Sequence, residues 1–327
     1  MSEYRRSGVD LDGHAALVRR IAQLAGSASR PEVIGGVGLF SGACAVPSGV
    51  GQPVLVASTD SVGTKVLLAA ECGRYGEVGR DVVVHCANDV ATGGAAPLFF
   101  LDYLAVASLD PGQVLGLVEG VAAACRDAGC ALLGGETAQL PDLYREGAYD
   151  LAGTMVGVVD RAGLVQPRGR VGDVVVGLPS AGLHTNGFSL VRRVLRETGT
   201  DPRDHADRLL APSRLYSGDV RRVLAAGIPV RGMAHITGGG LPGNLDRALP
   251  KDVDARLECR LWDRPEVFGW LQGLGGIPEE EMRRVFNLGI GFCLVVPPAS
   301  LPATLACLPD ARAIGELVPG TGQVELR

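Results

Sequence analysis

Aromatic side chains are scarce in this sequence, at 5% of 327 residues, and no stretch concentrates lysine and arginine. With a formal net charge of −5, that is a poor match to a general nucleic-acid binder, which needs a basic face. No apolar run reaches membrane-spanning length, and the opening MSEYRRSGVDLDGH lacks an apolar core of signal-peptide length. No C-x-x-C pair occurs among the eight cysteines, and most sit in apolar surroundings such as GFCLVV and LACL. They read as buried free thiols, which fits a reducing cytoplasm. The expectation is a soluble, cytoplasmic protein with neither nucleic acid nor membrane among its partners. The phosphate loop G-x-x-x-x-G-K-[ST] is missing as well. Gly35, Gly36 and Gly38 imitate a dinucleotide fingerprint, but Ser41 stands where its third glycine belongs, and the preceding RPEVI is a poor strand.

Glycine, by contrast, is plentiful: 47 residues, clustered at strand–helix junctions where turns and close backbone approaches need them. Hydrophobic residues make up 46% and charged residues 20%, a globular balance. The length exceeds one comfortable core, so two domains are expected. The polar, aperiodic stretch 160–173 divides them, giving 1–165 and 166–327.

One stretch, 54–65 (VLVASTDSVGTK), organises the rest. Its apolar, β-branched start reads as a buried strand. Asp60, Gly63, Thr64 and Lys65 follow, before VLLAAEC, which reads as a helix. A strand that breaks into such a turn presents backbone N–H groups, a cation and a carboxylate together, the parts that hold a phosphate chain and its Mg²⁺. Any strand–loop–helix connection shows some of these parts, so a plain connection stands beside the phosphate reading. Further helices are expected at 13–24, 77–92, 111–128 (capped by Asp110), from 187, and near 213–226. Strands are expected at 98–107, in CALLG, and at 150–159, 174–178, 230–236, 291–296 and 313–318, while 30–51 reads as irregular. Strands and helices mix without strict βαβ alternation, so an α+β class is expected rather than a doubly wound sheet.

Asp89 lies in DVVVHCANDVATGG, inside an otherwise apolar helix. Either it faces water, or it shares one Mg²⁺ with Asp60. Gly134-Gly135-Glu136-Thr137 closes CALLG, as a simple hairpin turn or with Glu136 as a third acid. In the second half, LPSAGLHTNGFSLVRR leaves a strand, turns through Gly182 and Gly187, and enters a helix. Amides at that helix start, with Ser180, Thr185 and Asn186 as donors, suit an anion, and His184 can supply a proton. His235, Thr237, Gly238, Gly239 and Gly240 repeat the arrangement. A lone histidine is more often structural; two of them opening glycine-rich turns in one half favour a site.

RPEVIGGVGLF, STDSVGTK, CANDV, PLFFLDY, GCALLGGETAQLP, SAGLHTNGFSLVRR, HITGGGLPGNL and FNLGIG occur in that order. Together they resemble the aminoimidazole ribonucleotide synthetase (phosphoribosylformylglycinamidine cyclo-ligase) family over nearly the whole chain from Ser7. Parts of the pattern recur in a wider ATP-binding superfamily that includes selenophosphate synthetase and thiamine-phosphate kinase. The chain departs from the family at Ser61 (usually Gly), Ala96 (commonly Glu), Asp246 (usually Pro) and in the arm YRRSGVD. The resemblance implies an N-terminal α/β domain whose sheet pairs with a second copy in an intersubunit β-barrel, an α+β C-terminal domain, and hence a homodimer. It implies ATP and Mg²⁺ acting on formylglycinamidine ribonucleotide, with the formyl amide oxygen phosphorylated to an iminophosphate before the imidazole ring closes. Carried over by residue, it makes Lys65, Asp89, His184 and His235 catalytic, and Asp60 and Asp89 metal ligands. Cofactor contacts fall on Gly36, Gly38, Asp60, Gly63, Thr64, Lys65, Asn88, Gly135 and Glu136. Substrate contacts fall on Ser180, His184, Thr185, Asn186, Thr237, Gly238 and Gly239. A specialised paralogue, another ATP-dependent member of the superfamily and a catalytically inactive scaffold are the alternatives.

Overall fold

The computed structural model describes residues 11–35 and 40–327. Helix α1 (Leu11–Gly26) is followed by a short antiparallel ribbon of β1 (Val33–Ile34) and β2 (Ala43–Cys44), within the stretch expected to be irregular. Strand β3 (Pro53–Ser61) then leads into helices α2 (Lys65–Cys72) and α3 (Tyr75–Thr92). Strand β4 (Ala96–Val106), helix α4 (Pro111–Ala128), and strands β5 (Ala131–Gln139) and β6 (Tyr149–Asp160) complete the first sheet, in the order β3-β6-β4-β5. Only β4 and β5 run parallel, since α4 carries the chain back between them. The start of α4 is written in the sequence: the Asp110 carboxylate accepts from the amides of Gly112 and Gln113, and Pro111 fills the first turn.

The expected hairpin turn at 134–137 is corrected. These residues continue β5 and pair with 101–104 of β4. Two glycines in a row suggested a turn; here Gly135 makes room for a neighbour, because a Cβ on it would overlap the Asp102 carboxylate.

Strand β3 alternates strictly. Val54, Val56, Ser58 and Asp60 point toward α3, and Leu55, Ala57, Thr59 and Ser61 point out. The outer face of this sheet leaves Leu55, Leu101 and Tyr103 exposed. On the inner face α3 and α4 approach to backbone contact, since a Cβ at Gly79 would overlap the Leu117 carbonyl and one at Gly120 the Gly76 carbonyl.

The second sheet has the order β12-β9-β11-β7-β10-β8. It comprises β7 (Val174–Pro179), β8 (Gly232–His235), β9 (Val253–Leu257), β10 (Ile290–Val296), β11 (Arg312–Pro319) and β12 (Val324–Leu326). All pairings are antiparallel except β12 on β9. Every residue of β10 is buried, as expected of an inner strand covered on both faces. Helix α5 (Phe188–Thr198) follows β7 and packs against the first half. Val62, Val66 and Leu68 share one continuous core with Leu183, Phe188, Val191, Phe268 and Phe286. The result is a mixed α+β architecture built on a four-stranded and a six-stranded sheet. Among the described residues no helix is long and apolar enough to cross a membrane.

Candidate active site

Helix α3 supplies a row of polar side chains between the two sheets. Asp81, His85 and Asp89 recur at four-residue spacing, which places them along one helix face, with Asn88 beside them. That face looks toward the end of β3 and toward β8. The Asp60 carboxylate meets His85 Nε2 at 2.9 Å, and the same nitrogen lies 3.9 Å from Asp89 Oδ2. Ser58 donates to Asp89 Oδ2 at 3.0 Å, and His235, the last residue of β8, meets Asp89 Oδ1 through Nδ1 at 2.8 Å. The two imidazoles touch edge to face with ring centres 5.0 Å apart. Asp60, His85, Asp89, His235, Thr237 and Arg247 line a cleft of about 550 Å³.

Charge in this cleft follows from the pairing. Burial works against ionisation of Asp60, but the His85 hydrogen bond and the Ser61 amide outweigh it and hold the carboxyl below its ordinary value. Burial likewise opposes the charge on Asp89; His235, His85 and Ser58 overcome it, so Asp89 also ionises below its usual range. Burial disfavours a charged His85, yet Asp60 and Asp89 together carry its pKa above the ordinary value. For His235 burial prevails over Asp89, and its pKa falls below the ordinary value. Two ionised carboxylates facing one opening form a hard oxygen donor set, suited to Mg²⁺. His85, Asp89 and His235 also place one ligand atom each within 4.8 Å of one another.

Several residues expected in the site are elsewhere. Lys65, expected on phosphate, is fully buried: its ammonium pairs with Asp81 at 2.6 Å, donates to the His184 carbonyl at 2.8 Å, and lies over the Phe188 ring. Asn88 is also internal, donating to the Arg214 carbonyl at 2.9 Å and accepting from the Tyr216 amide at 2.7 Å. His184 has a left-handed backbone (φ 57°), and its ring is buried away from the cleft. Its Nε2 accepts from the Ala181 amide at 3.1 Å. Burial, reinforced by His235 and Lys65, pushes its pKa well below the ordinary value, so the ring is neutral. Ser180 is engaged with Asn287 at 2.8 Å. Glu136 lies on the other side of the first sheet: Asp60 pairs with Gly153, Gly153 with Asp102, and Asp102 with Gly135, so its neighbour Glu136 points outward.

The glycine turns behave differently from one another. The 237–240 turn borders the cleft and is organised by Asn244, whose Nδ2 donates to the carbonyls of Thr237, Gly238 and Gly240. Gly239 and Gly240 have φ of 103° and 62°, and Gly238 faces Asn186. Thr185 is buried and meets His85 Nδ1 at 2.8 Å. Gly63 and Thr64 form the β3–α2 junction, where the Thr64 hydroxyl lies 3.1 Å from that of Ser189. Gly36 and Gly38 lie outside the described residues. Of the departures, Ser61 donates its amide to Asp60 and Ala96 is at the far end of β4.

Among the cleft residues that the sequence did not mark as site residues are His85 and Arg247. His85 was signalled by H-x-x-x-D spacing within α3, and Arg247 is an exposed guanidinium just past the 237–240 turn, without an ion-pair partner among the described residues.

The AIR synthase related protein, N-terminal domain, matches residues 42–159, and its C-terminal counterpart matches residues 170–326. A phosphoribosylformylglycinamidine cyclo-ligase of Synechococcus sp. (strain CC9605) is 49% identical over 312 residues, covering 93% of this chain and 90% of that protein. Its counterpart from Parasynechococcus marenigrum (strain WH8102) is 46% identical over 331 residues, covering 97% and 96%. Among solved structures, thiamine-monophosphate kinase from Stenotrophomonas maltophilia K279a superposes with a TM-score of 0.69 over 95% of each chain, at 19% identity, a likeness of fold alone. With family matches across both halves and near full-length relatives at this identity, the chain belongs to the AIR synthase related family.

Proposed function

We propose that this protein is an ATP-dependent cyclo-ligase that converts formylglycinamidine ribonucleotide to aminoimidazole ribonucleotide, ADP and phosphate in purine biosynthesis. The observation that carries this reading is the convergence of Asp60, Asp89, His235 and Arg247 on one cleft between the two sheets, in a chain whose full-length relatives bear the cyclo-ligase name.

An amide carbon is a poor electrophile because its oxygen leaves badly. Transfer of the terminal phosphoryl group of ATP to the formyl oxygen makes that oxygen a good leaving group. The neighbouring amidine nitrogen then attacks the same carbon, the carbon–oxygen bond breaks, phosphate departs and the ring closes with loss of a proton. The protein's part is positioning and charge neutralisation. Asp60 and Asp89 would hold Mg²⁺, which screens the phosphate charge. Arg247, rather than the buried Lys65, is the side-chain cation that meets phosphate. His235 is neutral, aligned by Asp89, and takes up the proton released as the ring closes. The 184–187 and 237–240 turns receive the ribose phosphate. We assign nucleotide binding and dimer contacts to 1–165 and substrate contacts to 166–327, in a cytoplasmic homodimer joined through the outer face of the first sheet.

The test is ring closure by purified protein with Mg²⁺ and ATP, beside Asp89→Asn. Wild type should form aminoimidazole ribonucleotide, and Asp89→Asn should lose both turnover and thermal stabilisation by Mg²⁺–ATP. Full activity and an undiminished thermal shift in Asp89→Asn would remove Asp89 from the site.

A further inference from the structure

We propose that His85 is a positioning residue that joins Asp60 to Thr185, so that occupancy of the substrate turn and of the nucleotide carboxylates is coupled through one imidazole ring. The inference rests on the reading above, in which Asp60 and Asp89 hold the nucleotide and the 184–187 turn receives the ribonucleotide.

The ring is wedged between the two halves of the chain. It is buried, with Nε2 at 2.9 Å from the Asp60 carboxylate of β3 and Nδ1 at 2.8 Å from the Thr185 hydroxyl of the second half. A carboxylate can only accept, so Nε2 carries a hydrogen. In a neutral ring Nδ1 then accepts from the Thr185 hydroxyl; in a charged ring it donates to it, so both contacts survive either state. The Asn186 side-chain amide reaches the same hydroxyl at 3.4 Å, which extends the chain of contacts into the turn.

Thr185 itself does not line the cleft. Its route to the carboxylates is the rigid imidazole, whose one nitrogen faces Asp60 at 2.9 Å and Asp89 at 3.9 Å. A shift of Thr185 therefore rotates the ring and moves the group that orients Asp60. Partner groups of this kind fix the orientation of the ligands they touch, and their loss is felt at the ligand. By linkage, whatever the turn does to nucleotide affinity, the nucleotide does equally to the turn.

Thr185→Val removes the hydroxyl and keeps the shape. Titration calorimetry would measure binding of Mg²⁺ with a non-hydrolysable ATP analogue, first alone and then with formylglycinamidine ribonucleotide saturating. In wild type the ribonucleotide should tighten analogue binding by about fivefold or more. Thr185→Val should weaken the analogue on its own and bring the ratio close to one; Thr185→Ser should restore both; His85→Phe should match Thr185→Val. Circular dichroism and melting temperature would establish that each variant is folded. Unchanged analogue affinity and ratio in Thr185→Val, or a wild-type ratio of one, would overturn the inference. If wild type failed to bind the ribonucleotide, the proposed function would fall, and analogue affinity alone would decide the link: weaker in Thr185→Val supports it, unchanged refutes it.

Discussion

Lys65 and Asp81 form an ion pair at 2.6 Å with neither side chain exposed to solvent. The pair also binds backbone from the second half: Lys65 donates to the His184 carbonyl, and Asp81 accepts from the Ser213 amide at 2.7 Å. Removing one member leaves a buried charge without its partner, which costs about 3–5 kcal/mol. Lys65→Met should therefore lower unfolding stability by that amount in urea denaturation, and adding Asp81→Asn should recover part of it. Wild-type stability in Lys65→Met would show that the pair does not hold the halves together.

Arg247 should respond to substitution through the nucleotide. Its guanidinium lines the cleft and is exposed, and a hydrogen bond to a charged group contributes about 1.5–3 kcal/mol. Arg247→Ala is expected to raise the KM for ATP about tenfold or more, with little change in melting temperature. Steady-state kinetics with ATP as the varied substrate would check this; an unaltered KM would return the phosphate contact to another group.

His184 makes stability depend on pH. Its folded pKa is depressed, chiefly by burial, so the unfolded chain binds the extra proton. Stability from this residue is fully present above the unfolded value of about 6.5 and falls as pH drops below it. The slope reaches at most about 1.4 kcal/mol per pH unit. His184→Asn, whose side chain tolerates the left-handed backbone, should be less stable at pH 7.5 yet lose less between pH 7 and 5. Parallel curves for the two proteins in denaturant titrations across that range would contradict the assignment.

Leu55, Leu101 and Tyr103 are exposed on the outer face of the first sheet, where apolar side chains call for a cover. Light scattering at micromolar concentration should give a dimer for wild type and a shift toward monomer for Leu101→Asp. A wild-type monomer would exclude the sheet-to-sheet pairing.

The fold class was legible because the apolar runs are long and glycine punctuates them at element ends. The carboxylates Asp60 and Asp89 were legible for a related reason: each interrupts an apolar element. The burial of Lys65 against Asp81 was not legible, because a lysine after a glycine turn looks the same whether its partner is phosphate or a buried aspartate sixteen positions on. Only the packing of α3 against that turn distinguishes the two. The face that Glu136 takes was not legible either, since it depends on register and one position along a strand changes the face. His85 was overlooked among apolar neighbours although its spacing to Asp89 carried the signal. Strands β9 and β12, of five and three residues, are too short to stand out in a sequence.

Asp81, Asn88 and Lys65 take their backbone partners from residues 184–216, more than a hundred positions later in the chain. Until that segment has been synthesised, Asn88 has neither of its partners, the Lys65–Asp81 pair lacks the backbone groups of His184 and Ser213 that complete it, and the apolar flank of α2 has no cover. The first sheet is therefore a topological unit without being an autonomous one: it reaches its final form only after the second half arrives. The molecule should consequently melt in one calorimetric transition, not in two.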